Sequence, residues 1–271
     1  MKNYDCIIIG NGSVSFAIGY ELDKKSSSAF KIGIFGKKSR IGSASLAAGA
    51  MINIFGEVEY DSLSSLQGKQ KFKDMLKSRQ YWQTLVEALN FNKKIVNIKK
   101  GTYVINNSSA NDLDDENFNA IEAALKKYKE KFYHVNNTDI PGYNPASRYR
   151  SFKSIFIPEE NFIPSTDNLL NAYEKYFIHK KKIEIFDENI LKIEKKNREF
   201  KLYSSTGEIY ISKKIVIAAG AYSQKLIDQF PQISKKIPRT YFGTGTALII
   251  KTNTKHDIKN VIRTPNRGLA C

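Results

Sequence analysis

Tyr4-Asp5-Cys6-Ile7-Ile8-Ile9-Gly10-Asn11-Gly12-Ser13-Val14-Ser15 decides the fold. An apolar run of strand length ends in Gly-x-Gly, and residues of helical spacing follow at once, with Val14, Ala17, Ile18 and Leu22 on one face. Lys24 to Ser28 is a polar stop, and Lys31 to Phe35 reads as a second strand. Strand, turn, helix and strand fit in about thirty residues, as a parallel crossover requires. Gly10-x-Gly12-x-x-Ser15 is a variant of the dinucleotide fingerprint. Gly10 permits the tight turn, Gly12 lets the backbone approach a pyrophosphate, and Ser15 replaces the third glycine while staying small enough for close helix–strand packing. Gly10 to Ser13 form the turn, and the helix that follows offers its N–H groups and positive dipole end to an anion. One departure stands out. The acid that should hydrogen-bond a ribose belongs at the end of the second strand, where this chain has Gly36-Lys37-Lys38. The ribose would then fall to backbone groups, Ser39 or Lys37, and Lys37 leaves open a 2′-phosphate and NADP.

Working outward, amphipathic patterns predict helices from about Gln70 to Leu89 and from Asp115 to Lys131. Ile95 to Ile98 and Thr102 to Ile105 read as strands between them. Asn136 to Glu160, with Pro141, Pro145 and Pro158, reads as a loop. A third helix is expected after Pro164, with Ser165 as its N-cap. Strands follow at Ile183–Phe186, Ile190–Lys195, Glu199–Ser204 and Glu208–Ile211. Ile215 to Ala219 is a fully apolar strand of the buried parallel type, and Tyr241–Lys251 and Val261–Ala270 look like further strands. The pattern predicts an α/β protein in which a Rossmann-type nucleotide-binding domain (1–90 and 150–235) is interleaved with a mixed α+β domain (91–149 and 236–271).

Composition narrows the class. At 271 residues and 41% hydrophobic, the chain can bury a globular core. No apolar run approaches the ~20 residues that span a bilayer, so no membrane partner is expected. The N-terminal apolar stretch runs into glycines rather than a cleavage site. With only Cys6 and Cys271, a reducing, cytoplasmic setting fits best. The net charge of +16 comes mostly from lysines scattered as short groups such as Lys93-Lys94 and Lys180-Lys181-Lys182. No helix-turn-helix, zinc-finger or RNA-recognition signature accompanies it, so nucleic acid is not the expected partner. A basic surface does favour anionic small molecules by steering. His134, His179 and His256 have no metal-ligand spacing, and no metal is expected.

Arg40-Ile41-Gly42-Ser43-Ala44-Ser45-Leu46-Ala47-Ala48-Gly49-Ala50-Met51 is a run of small residues suited to backbone lying close to a flat or charged ligand. Here the sequence resembles the D-amino-acid oxidase and glycine oxidase superfamily of FAD-dependent oxidoreductases. Asn161 to Ala172 looks like that family's approach to a second helix of the FAD domain. Lys214 to Ser223 looks like its return strand and Ala-Ala-Gly turn. The resemblance implies FAD as cofactor, held at Gly10, Gly12, Ser13, Ser15, Lys37, Ser43, Ala44, Ser45, Ala48, Gly49, Met51, Ala219 and Gly220, with Ile190 contacting the adenine through its backbone.

The resemblance also implies oxidation of a C–N bond in an amine or amino acid, with hydride passing to the flavin. The small-molecule substrate would then be anionic or amine-bearing. A substrate carboxylate would call for an arginine fork; of Arg148, Arg239, Arg263 and Arg267, the late pair Arg263 and Arg267 is the choice. Two alternatives stay open: an FAD-dependent oxidoreductase on another substrate, such as a tailoring or tRNA-base-modifying step, and a flavin-binding fragment inactive alone. The family continues well past Leu269-Ala270-Cys271, so the substrate domain is expected to be truncated, with a complementing C-terminal chain as partner.

Overall fold

The strand at the centre of the fold is β1 (Lys2–Ile9), the run with which the sequence opens. The structure is a computed structural model that describes residues 1–90, 94–107, 111–146, 151–243, 248 and 258–266. Along the chain follow α1 (Ser13–Lys25), β2 (Ile32–Phe35), α2 (Ala44–Ala47), β3 (Met51–Ile52), α3 (Leu66–Leu89), β4 (Lys99–Asn107), α4 (Asp112–Lys127), β5 (Tyr133–His134) and β6 (Ser151–Phe162). Then come α5 (Thr166–Ile178), β7 (Ile183–Phe186), β8 (Ile190–Lys196), β9 (Glu199–Ser204), β10 (Ile209–Ile217), α6 (Ser223–Ile227), α7 (Pro231–Ser234) and β11 (Val261–Arg263). Two compact units form, one from Met1–Ala48 and Thr166–Ala247, the other from Gly49–Ser165 and Leu248–Cys271.

The first unit is built on a six-stranded sheet of order β7-β2-β1-β10-β9-β8. β7, β2, β1 and β10 are parallel, and β9 and β8 add antiparallel. Ile7 and Ile8 of β1 are both fully buried, as a central parallel strand covered on two faces demands. On one face α1 packs against α5 through Phe16, Tyr173 and Phe177. The C-terminal end of α1 is satisfied by a lysine: Lys182 Nζ donates to the carbonyls of Asp23 (2.6 Å) and Ser26 (3.0 Å), which suits the negative end of the helix dipole. Cys6 is a free, buried thiol that burial pushes up to about 11, so it behaves as an inert apolar residue.

The second unit carries a sheet of order β11-β4-β6-β3, with β5 also paired to β6. Its core joins Phe72 of α3 and Phe118, Ile121 and Leu125 of α4 to Val104, Ile155 and Ile157 of the sheet. That packing explains why the division falls at Ala48/Gly49 and Ser165/Thr166, whereas the sequence pattern suggested 90 and 150. The apolar face of α3 is spent on β4 and β6, and β6 pairs with both β4 and β3.

Several local expectations shift for identifiable reasons. Ile95–Ile98 is not a strand, because Asn90 holds it by its side chain: Oδ1 accepts from the N–H groups of Ile95 and Val96, and Nδ2 donates to the Val96 carbonyl. The stretch expected to be loop up to Glu160 contains β6, despite Pro158. Lys100 pairs with Asn161 and Thr102 with Ile157, so Pro158 sits in a bulge where no ladder hydrogen bond is asked of it. α4 ends at Lys127, not Lys131. The two strands expected over 208–219 are the single β10. Of the last two expected strands, 241–243 is irregular, β11 covers only Val261–Arg263, and most of the remainder lies outside the described residues. Among the described residues no helix is long and apolar enough to cross a membrane.

Glu160, fully buried in β6, accepts from the N–H groups of Ile54 (2.7 Å) and Phe55 (2.6 Å) and so fixes the turn after β3. Burial pushes its carboxyl up to about 7, against the opposing pull of those N–H donors. A raised acid stabilises the fold fully while both folded and unfolded chains hold the proton, and that contribution is lost as pH rises from about 4.5 to about 7. The unfolding free energy from urea titrations at a series of pH values should therefore fall across this window, by on the order of 3 kcal/mol at most. Glu160→Gln should flatten the slope, and equal slopes for both proteins would contradict the assignment.

Candidate cofactor site

The candidate site is assembled at the C-terminal end of β1, where its neighbours are β2 on one side and β10 on the other. That reversal of strand order is where doubly wound sheets open a crevice. Gly10 has φ +119°, and a Cβ there would lie 2.3 Å from the Ala218 carbonyl oxygen. Its N–H donates to the Phe35 carbonyl (2.7 Å), while the Ala218 N–H donates to Ile9 (2.8 Å). The turn is thereby laced to both flanking strands. Ser15 is fully buried and its hydroxyl donates to the same Ala218 carbonyl at 3.1 Å. Replacing the fingerprint's third glycine with serine thus adds a cross-link to the residue after β10 as well as keeping the residue small.

The small-residue run folds over the start of α1. Ser43 caps α2 by accepting from the Leu46 N–H. Ala44 opens that turn, and Ser45 reaches the loop: its Oγ accepts from the Ser13 N–H at 3.0 Å and lies 3.2 Å from Ser13 Oγ. Gly12 has an extended backbone, and its lack of a side chain matters for space: a Cβ would stand 2.9 Å from Ser45 Oγ. Gly10, Gly12, Ser13, Ser15, Ser43, Ala44 and Ser45 are therefore brought together, and Ala219 and Gly220 follow directly on Ala218 beside them. Ala48 closes the first unit's opening segment, whereas Gly49 and Met51 belong to the second unit, Met51 pairing with Phe162. Ile190 begins β8 and is buried with Tyr4, Phe35 and Tyr210.

α1 has no acidic residue in its first turn and no side-chain cap on Gly12. A helix start with glycines, hydroxyls and no carboxylate suits a pyrophosphate, so the residues present fit the phosphate half of FAD. At the end of β2, Lys37 Nζ donates to the Asp187 carbonyl (3.0 Å), and Asp187 Oδ1 accepts from the Lys38 N–H (2.7 Å). The turn between β7 and β8 thus brings Asp187 up to the end of β2. Burial raises the neighbouring Glu188, but hydrogen bonds from Ser204, Thr206 and Tyr210, with the charge of Lys37, outweigh it and hold the carboxyl below its ordinary value.

Sequence reasoning missed Arg40. It is 6% exposed, has φ +48°, donates from Nε to the Asn11 carbonyl (3.0 Å), pairs with Glu174 of α5 and lies over the Phe16 ring. Nothing in a polar stretch of lysines and serine marks it beforehand, because its partner is 134 residues away. Arg263 is 2% exposed in β11, with Nη1 on Glu57 and Nε donating to the Thr264 carbonyl at 3.2 Å. Two donors of the fork expected for a substrate carboxylate are thus engaged within the second unit. Arg239 is exposed and 3.6 Å from Asp228, while Arg267 and Arg148 lie outside the described residues. Among the described residues no group of histidines, cysteines and acids could hold a metal.

The parallel core, the glycine turn at its switch point and the hydroxyl-lined helix start define a dinucleotide-binding α/β protein. The profile of the FAD dependent oxidoreductase family matches residues 5–270, and the chain belongs to that family. Among solved structures it is similar in fold to glycine oxidase from Geobacillus kaustophilus (TM-score 0.68, 20% identity, covering 85% of this chain and 59% of that one). It is also similar to iminodiacetate oxidase from Chelativorans sp. BNC1 (TM-score 0.63, 16% identity, 83% and 57%). A third is L-alpha-glycerophosphate oxidase from Mycoplasma pneumoniae, solved with FAD bound (TM-score 0.55, 17% identity, 87% and 58%). The chain therefore spans under two thirds of the length of these proteins. No curated protein sequence matches it significantly.

Arg40→Met strands Glu174 and leaves the Asn11 carbonyl without its donor. Breaking such a buried pair should lower stability by about 3 kcal/mol, read as a reduced denaturant midpoint. Adding Glu174→Leu should recover most of it, since two apolar groups no longer strand a charge. A midpoint unchanged in the single variant would show that the pair does not hold the loop.

Proposed function

We propose that this chain is the flavin-binding portion of an FAD-dependent oxidoreductase that oxidises a C–N bond of an amine or amino acid. The observation that carries the reading is the Ser45 hydroxyl seated on Ser13 at the start of α1, with Gly12 bare beneath it. On this reading the first unit is the FAD-binding domain and the second belongs to the substrate domain. The N–H groups at the start of α1, with Ser13 and Ser45, bind the pyrophosphate. The carboxyl ends of β1 and β10, at Gly10 and Ala219-Gly220, lie along the cofactor. Ile190 offers its backbone to the adenine. FAD, when bound, supplies the hydride acceptor.

The substrate class follows from similarity and charge. Two of the similar structures are oxidases of glycine and iminodiacetate by name, both amines bearing carboxylate. The net charge of +16 favours anions of that kind by steering. A second reading has its own support: a glycerophosphate oxidase shares the fold, and its substrate is an anion without nitrogen.

The test is spectroscopic. The purified protein should carry flavin absorbance, and anaerobic addition of amino acids or secondary amines should bleach it. Bleaching by glycerol 3-phosphate alone would favour the second reading. A folded protein that neither retains nor binds FAD would overturn both.

A further inference from the structure

We propose that Asn11 takes the place of the missing carboxylate at the adenosine ribose, so that a neutral amide oxygen receives the 2′-hydroxyl. This rests on the reading of the first unit as the FAD site.

The end of β2 is where a dinucleotide-binding sheet ordinarily presents an acid to the ribose, and here it is Gly36. The space is not empty. A Cβ at Gly36 would lie 2.6 Å from both Cγ and Oδ1 of Asn11. The Asn11 side chain therefore fills the volume in which an acidic side chain would begin, and no side chain fits at Gly36 while Asn11 stands. The amide's orientation is set: Nδ2 donates to the Lys37 carbonyl at 2.9 Å, an oxygen that can only accept. Oδ1 therefore lies against Gly36 at the end of β2, an acceptor where the chain has no acid.

Asn11 is also rigidly placed. Its carbonyl accepts from Arg40 Nε, and Arg40 is in turn fixed by Glu174 and Phe16. The side chain is preorganised by contacts on both its backbone and its amide, in a residue only 9% exposed. Of the two acids that the β7–β8 turn brings near, Asp187 accepts through Oδ1 from the Lys38 N–H, and Glu188 accepts from the hydroxyls of Tyr210 and Thr206. An uncharged acceptor forms a weaker hydrogen bond than an ionised one. The protein should therefore prefer ribose over 2′-deoxyribose by about 3- to 10-fold, below the roughly 10- to 100-fold expected of a carboxylate.

Binding of FAD to the full chain can be followed by quenching of flavin fluorescence, with ADP and 2′-deoxy-ADP as competitors. The wild-type protein should bind FAD and prefer ADP by about 3- to 10-fold. Asn11→Gly should bind FAD about 10-fold more weakly and lose the preference. Gly36→Glu alone should lose FAD binding, because its side chain meets Asn11. The double variant, with room for the acid, should regain binding and prefer ADP more strongly than the wild type. Equal affinity of the wild type for ADP and 2′-deoxy-ADP would overturn the proposal, as would an Asn11→Gly protein that keeps the preference. Wild-type protein that binds neither FAD nor ADP would overturn the cofactor reading itself, and this proposal with it.

Discussion

The turn at Gly10 is laced into the sheet from both sides, through the Phe35 carbonyl on β2 and the carbonyl and N–H of Ala218, the residue after β10. With 2.3 Å between a Cβ and the Ala218 oxygen, no side chain fits at that position, and the positive φ adds a second reason for glycine. The start of α1, the seat of Ser45 and the position of Asn11 are all set by where this turn leaves the strand. Parallel pairing makes the lacing possible, since β1, β2 and β10 all end on the same edge.

Buried and half-buried ionisable groups fix loops and chain ends in both units. Arg40 joins the glycine loop, the segment after β2 and α5 in one contact set. Lys182 does comparable work at the far end of α1. In the second unit Glu160 and the Arg263–Glu57 pair organise the turn after β3. Buried ionisable groups like these are costly to desolvate when charged, and buried pairs are costly to break. What they provide is position: each is directed at a backbone carbonyl, a backbone N–H or a loop that packing of apolar side chains alone would leave loose.

The Rossmann-type unit could be read from the sequence because its information is local. Strand, Gly-x-Gly and amphipathic helix lie within 25 residues, and β7 and β9 matched their expected bounds, since turn residues punctuate them. The membership of α3 in the second unit could not be read, because an amphipathic face does not name the sheet it will cover. β6 was hidden by Pro158, which is tolerated only because of a bulge set by its register with β4. Arg40 and the Asn11–Gly36 exchange were equally hidden. Each depends on partners that adjoin in space alone, and glycine at the end of β2 looked like a simple loss until the structure placed Asn11 in the gap.

Amide hydrogen exchange with and without FAD tests the central claim, that the cofactor is held by the glycine turn and the small-residue run folded over it. The account predicts that FAD slows exchange in peptides covering 10–16 and 36–46 and leaves β4 and α4 unchanged. Flavin bound by the protein with no change in exchange at 10–16 would contradict it.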